Sequence, residues 1–209
     1  MTVNEAVDAL QNRLDESTTA PRRYTDAIVL TALTSAQEEI AARAVPGLLR
    51  PLQYSAQHTV AAAGIALTTI NTKYFRYIAS RQYAIGDGKL IKKLDVEDLY
   101  AIDNTYLSYS NSDPVCYIWG TKYYLLVASY ASSYNAVEFF ILTTPDALVA
   151  GASFQVNAVL VPPLLLLAEA TLRSTYKHGT PEEIDAKRIQ AYGDISNTNK
   201  EYKQGVLTT

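Results

Sequence analysis

Two histidines, a single cysteine and several adjacent carboxylate pairs are the side chains in this sequence that could do chemistry. His58 and His178 lie far apart along the chain. His178 follows an expected helix C-terminus, where an imidazolium gains modestly from the helix dipole, so a structural role is the stronger reading. The pairs Glu38-Glu39, Glu97-Asp98 and Glu182-Glu183 are sequential. Neighbours on a helix point in different directions, so they form no acid/base dyad, and stabilisation of a helix start explains the last two. Gly86-Asp87-Gly88-Lys89 lacks the length and the following Ser/Thr of a phosphate loop, and a hairpin turn accounts for it. Neither a Gly-x-Ser-x-Gly elbow nor a His-Glu-x-x-His motif occurs. An enzyme would need a pocket uniting His58 or His178 with acids. The expectation is a protein with no catalytic residue, metal or cofactor.

Cys116 alone can make neither an internal disulfide nor a cysteine-based zinc site. It alternates with Val115 and Tyr117 in a strand-like run and reads as a small buried hydrophobe. With 209 residues, 48% hydrophobic and 19% charged, the chain belongs with ordinary globular proteins able to bury a substantial core. The net charge of −3 offers no general attraction to nucleic acid. Arg22-Arg23, Lys92-Lys93 and Lys187-Arg188 read as solvated surface pairs. Glu5 and Asp8 stand where a secretory signal would need basic and apolar residues. The longest apolar stretch, 158–168, is about half the ~20 residues of a membrane span and contains two prolines. A soluble protein of a reducing cytoplasm, or of a particle assembled there, is expected.

The compositional outlier is tyrosine, 16 residues against 4 Phe and 1 Trp. Tyr suits surfaces that are half wet before association and buried after it, but it also favours half-exposed strands. Abundance alone leaves both readings open.

The elements that must position these residues follow from periodicity. Val3, Val7, Leu10 and Leu14 make the stripe of a short helix, followed by a loop over 15–21. A second helix over 24–44 carries Val29, Leu33, Ala36 and Ile40 on one face, with Pro46-Gly47 and Pro51 ending it. From 53 to about 159 the period becomes two residues. Phe75, Tyr77, Ala79, Arg81 and Tyr83 alternate with Arg76, Ile78, Ser80, Gln82 and Ala84, and a turn at 86–88 leads into 90–94. Asp95 caps a short helix over 96–104, and a Ser/Asn-rich loop with Tyr106 and Tyr109 reaches Pro114. Strands 115–119 and 123–127 join through Gly120, with a third at 137–142 and a further one at 154–161. Pro162-Pro163 opens an apolar helix running to about 177, with Gly179 as its cap. Thr180-Pro181-Glu182-Glu183 starts a last helix with a thin stripe of Ile184, Ala191, Ile195 and Tyr202, which gains most if a neighbouring subunit supplies packing. The tail 204–209 has no periodicity.

Over 75–192 the chain resembles the head-to-tail adaptors (gatekeeper, or tail tubular A-like proteins) of short-tailed bacteriophages. The resemblance rests on the order and spacing of four features. They are Leu94-Asp95-Val96-Glu97-Asp98-Leu99, the Pro114 entry to an aromatic hairpin turned at Gly120, the Val161-Pro162 helix entry, and a closing helix–Gly179–helix unit with Tyr176 and Tyr192. The sequence departs from that family after the second hairpin strand, where Ala128-Ser129-Tyr130-Ala131-Ser132-Ser133 replaces a proline-rich exit. The resemblance implies an α+β fold: an N-terminal helix pair (1–52) and C-terminal helices (161–203) in one helical bundle, an inserted antiparallel β domain (53–160), and a flexible tail (204–209). It also implies a structural virion protein, in a homo-oligomeric, dodecameric ring joining the portal protein to a tail tube or nozzle protein. DNA would pass through the lumen without sequence-specific binding, no membrane would be involved, and assembly would occur in the host bacterial cytoplasm. Tyr192, Ile195, Tyr202, Gln204, Val206 and Leu207 are expected to dock the portal or a neighbour. Tyr117, Trp119, Tyr123, Tyr130 and Tyr134 are expected on a tail-facing or inter-subunit β surface. The alternative is another non-enzymatic virion component, a capsid-decoration or tail-fibre adaptor protein.

Overall fold

A computed structural model describes residues 1–14, 24–83, 88–95, 97, 99, 109–131 and 134–205. The expected loop at 15–21, the Arg22-Arg23 pair, most of the turn at 86–88, most of the helix at 96–104 including Asp98, the loop through Tyr106, and Val206 and Leu207 lie outside the described residues. The chain is α+β and divides into two compact units, residues 1–52 with 144–209 and residues 53–143.

The first unit is helical. Thr2 and Glu5 form a reciprocal capping box at the start of α1 (Val3–Arg13), whose Val3, Ala6, Val7 and Leu10 are buried. Helix α2 (Asp26–Arg43) buries Val29, Ala32, Leu33, Ala36 and Ile40, and a 3-10 segment over Pro46–Leu52 follows. After the β unit come α4 (Val161–Thr175) and α5 (Pro181–Lys203), the latter opened by a second capping box between Thr180 and Glu183. Helix α4 is packed by α1, α2 and α5. The span Ala158–Thr175 is long and apolar enough to cross a membrane by length and composition, but Leu160, Leu164, Leu165, Leu167 and Leu172 are buried inside this unit. Helix α4 ends at Thr175, with Lys177 (φ 51°) and Gly179 (φ 105°) both left-handed in the link to α5, so the stop comes earlier than Gly179 alone suggests.

Glu169 is the one charged side chain buried in this core among the described residues. Its carboxylate meets Arg173 Nε and Lys187 Nζ, each at 2.9 Å, and Arg13 Nη1 at 3.9 Å. It therefore joins α1, α4 and α5. Burial pushes its pKa up, but hydrogen bonds and charge from Lys187 and Arg173 more than offset this, and the carboxyl sits below its ordinary value.

The segment 154–161, expected as a strand of the β domain, belongs instead to the helical unit, and the β unit ends at residue 143. Asn157 explains the difference. Its side chain accepts from Val159 N at 3.1 Å and its own N–H donates to Leu48 O at 3.1 Å, turning the chain into a 3-10 segment at Ala158–Leu160.

The second unit has two sheets. In one, β7 (Ala136–Thr143) lies between β1 (Gln53–Thr59) and β3 (Tyr74–Gln82), antiparallel to both. The other runs β2 (Ile65–Ala66), β6 (Lys122–Leu126), β5 (Val115–Trp119), β4 (Lys92–Lys93), with β4 parallel to β5. A short helix, α3 (Leu67–Ile70), follows β2. The third strand expected at 137–142 is β7, the centre of the three-stranded sheet. The strict alternation expected for 75–83 is interrupted by register shifts between Tyr74 and Arg76 and between Tyr77 and Ala79. The second shift reverses the phase, so Tyr77 stays half-buried while Ser80 and Gln82 are buried and Arg81 and Tyr83 are exposed.

One core serves both sheets. Tyr123, fully buried, sets its ring edge against Phe139 of the other sheet at 4.8 Å between centroids. Its hydroxyl is 2.9 Å from Ser80 Oγ, which is 2.8 Å from the Tyr77 hydroxyl, and Tyr77 Oη is 3.7 Å from Cys116 Sγ. Burial pushes the Cys116 thiol and the Tyr77 and Tyr123 phenols up, so the chain of groups is neutral.

Candidate interaction surface

A two-residue turn at Gly120-Thr121 sets the hairpin register, with Gly120 at φ 57°. Trp119 then pairs with Lys122 and Tyr117 with Tyr124. Alternation places Cys116, Tyr123 and Leu125 on the core side and Tyr117, Trp119 and Tyr124 on the other.

Tyr117 and Tyr124 stack at 4.9 Å with 8° between ring planes. The Tyr124 ring lies against Gly64 (φ 77°), where an added Cβ would come within 2.9 Å of Tyr124 Cδ1. Tyr130 donates its hydroxyl to the carbonyl of Leu125. Burial raises the Tyr130 phenol, and nearby Tyr109 and Tyr117 raise it further. Trp119 is 59% exposed. Tyr109, Tyr117, Trp119, Tyr124 and Tyr130 thus make an aromatic face able to bury area and form hydrogen bonds.

Of the five residues expected on this face, Tyr117, Trp119 and Tyr130 are on it. Tyr123 is corrected to the core: counting from exposed Lys122, the period of two puts Tyr124 outside and Tyr123 inside. Tyr134 is half-buried, its carbonyl accepting from Gln82 Nε2 at 2.7 Å. Tyr124 was legible from that same count, while the approach of Tyr109 depends on loop packing that no local pattern reports.

The expected docking residues of α5 are largely engaged within the chain. Ile195 is 2% exposed and belongs to the core, a correction to its expected docking role. Tyr192 donates to Glu39 Oε1 at 2.5 Å, and the Arg43 guanidinium lies 4.1 Å over its ring. Tyr202 lies against Gly47. Asn199 donates to Arg43 O at 3.0 Å and accepts from Val45 N at 2.9 Å, closing the C-terminal end of α2. The thin stripe of α5 is therefore covered by its own unit, and among the described members of the set Gln204 is the exposed one.

The histidines have structural surroundings. His178 Nδ1 is 3.2 Å from the hydroxyl of buried Tyr24 and its ring stacks on Tyr24, while His58 sits edge-on to Phe139. No group of three or more His, Cys, Asp or Glu able to hold a metal occurs among the described residues. No protein-family model matches the chain, and no curated protein matches it significantly.

Proposed function

We propose that this chain is a subunit of a head-to-tail adaptor ring of a short-tailed bacteriophage, joining portal to tail and lining the DNA exit channel. The observation that carries the reading is the discontinuous layout. Residues 1–52 and 144–209 make one helical unit, and residues 53–143 are inserted in it as a β unit. The resemblance calls for N- and C-terminal helices in a common bundle with a β part between them. On this reading α1, α2, α4 and α5 form that bundle, and Tyr117, Trp119, Tyr124 and Tyr130 supply the tail-facing or inter-subunit surface. Copies would meet through heterologous contacts that close by rotation. A net charge of −3 suits a wall that lets DNA slide without holding it. Such a ring is a structural virion protein and needs no catalysis.

Native mass spectrometry of the protein, alone and mixed with the portal protein of its phage, tests this. A ring, or a monomer that joins the portal in matching copy number, is expected. A protein that ignores the portal would overturn the reading in favour of a decoration or tail-fibre adaptor, for which the exposed aromatic face would be the main contact.

A further inference from the structure

Four strands form sheet edges: β1 and β3 flank β7, while β2 and β4 close the other sheet. An open edge presents unpaired N–H and C=O groups to any passing strand, and proteins blunt such edges with short length, lysines or bulges. Three of the edges here are blunted. β2 and β4 are two residues long each, and β4 consists of Lys92 and Lys93. β3 carries two register shifts, Arg76 and Arg81, and is bridged to Leu90 near its end. β1 has none of these devices. Its seven residues run in unbroken register with β7 and include no charge, proline or glycine.

The pairing phase identifies the open groups. Val60 N donates to Asn135 O at 2.9 Å, so His58 and Ala56, in the same phase, turn their backbone groups toward β7. Ser55, Gln57 and Thr59 turn theirs away, meet no partner among the described residues, and have exposed side chains. Tyr54, Ala56 and His58 share the inner face. Ala56 packs on the core, His58 is half-buried and Tyr54 is 44% exposed, so the core layer ends here in two part-covered rings.

We infer that β1 pairs with β1 of a second copy of this chain, antiparallel about a two-fold axis at Ala56, merging two three-stranded sheets into one. The register is self-complementary. Ser55 opposes Gln57, the position where outward-turned backbone groups can bond to each other. Tyr54 opposes His58 in the intervening, closer-spaced position, so each part-covered ring gains an aromatic neighbour, and Ala56 meets its own image. No like charges face one another. The occupant is a second copy because, among the described residues, β1 is the only unblunted edge, and its outward register is complementary to itself. The contact is isologous and stands apart from the ring reading, whose contacts are heterologous.

Analytical ultracentrifugation of the full chain over a wide concentration range tests it, with hydrogen exchange at Ser55, Gln57 and Thr59. A concentration-dependent dimer with slowed exchange at those amides is expected. Gln57→Pro removes an outward N–H without touching the β7 ladder and should weaken the dimer at least tenfold, with circular dichroism and Tm unchanged. Ser55→Lys with Gln57→Lys, which opposes like charges, should do the same; Ser55→Glu with Gln57→Lys should retain the dimer. A monomer throughout, or a dimer indifferent to these variants, overturns the proposal. Amides slowed only by added portal or tail protein would assign the edge to another chain and overturn it equally.

Discussion

Lys187 on α5 places its ammonium 2.9 Å from the carboxylate of Glu169 on α4, a side chain only 3% exposed. Arg173 and Arg13 complete the surroundings of that carboxylate, so one anion answers cations from three helices. Removing one partner of a buried ionic cluster leaves the rest uncompensated. Glu169→Gln should therefore cost about 3 kcal/mol in urea unfolding. A loss near zero would show the cluster to be exchangeable for a neutral group.

The same carboxylate has a pH signature. Its folded pKa lies below the ordinary 4.5, because Lys187 and Arg173 outweigh the opposing effect of burial. A depressed folded pKa means stability that is present above the unfolded value and lost as pH falls through the folded one. Unfolding free energy should decline below about pH 4.5 in the native chain, with a smaller slope in Glu169→Gln, as chemical denaturation at stepped pH would reveal.

The core network between the sheets separates two tyrosine roles. Tyr123→Phe keeps the contact with Phe139 but removes one hydrogen bond to Ser80, which retains Tyr77. A loss of about 1 kcal/mol is expected. Tyr124→Phe, on the exposed face, should change stability by less than about 0.5 kcal/mol. Equal losses would contradict the assignment of the two faces.

Trp119 is the sole tryptophan and is 59% exposed at the hairpin tip, so fluorescence reports on one place. Emission of the free protein should be that of a largely hydrated indole, and should shift to the blue when the aromatic face is covered. Binding of portal or tail protein with unchanged emission would show that this face is not the contact.

Gly47 is needed for space. A Cβ there would run into the Tyr202 ring, and its φ is not left-handed. Gly47→Ala should cost about 1–3 kcal/mol by overpacking, and Tyr202→Ala in the same chain should recover part of that loss. Additive losses would mean the two residues do not touch.

Local signals carried most of what could be read from sequence. Thr180-Pro181-Glu182-Glu183 marks the start of α5 to the residue, and the Val3–Val7–Leu10–Leu14 stripe locates α1, because caps and periodicity are decided within a turn or two of chain. What a segment packs against is decided far away. Nothing near 137–142 shows that it would be the centre of a separate sheet. The bulge that reverses the phase of β3 leaves no glycine or proline in 74–82, so alternation alone groups Tyr77 with Arg81 although the structure puts Ser80 and Gln82 inside and Arg81 outside. Ile195 and Tyr202 read as apolar residues awaiting a partner subunit because α2 and Gly47, which receive α5, lie some 150 residues upstream. Glu169 is the one acid of α4, and only the assembled unit shows three cations converging on it.

Gln53 and Leu142 are cross-strand partners, so the β unit begins and ends at neighbouring points. Its 53–143 stretch is contiguous and can close as soon as it has been synthesised. The helical unit cannot, since α1 and α2 emerge first and α4, the element they pack against, follows only after the whole insert. Birth order and assembly order can therefore be inverted in this chain: the middle has all its partners first, and the earliest-made helices must wait for the last.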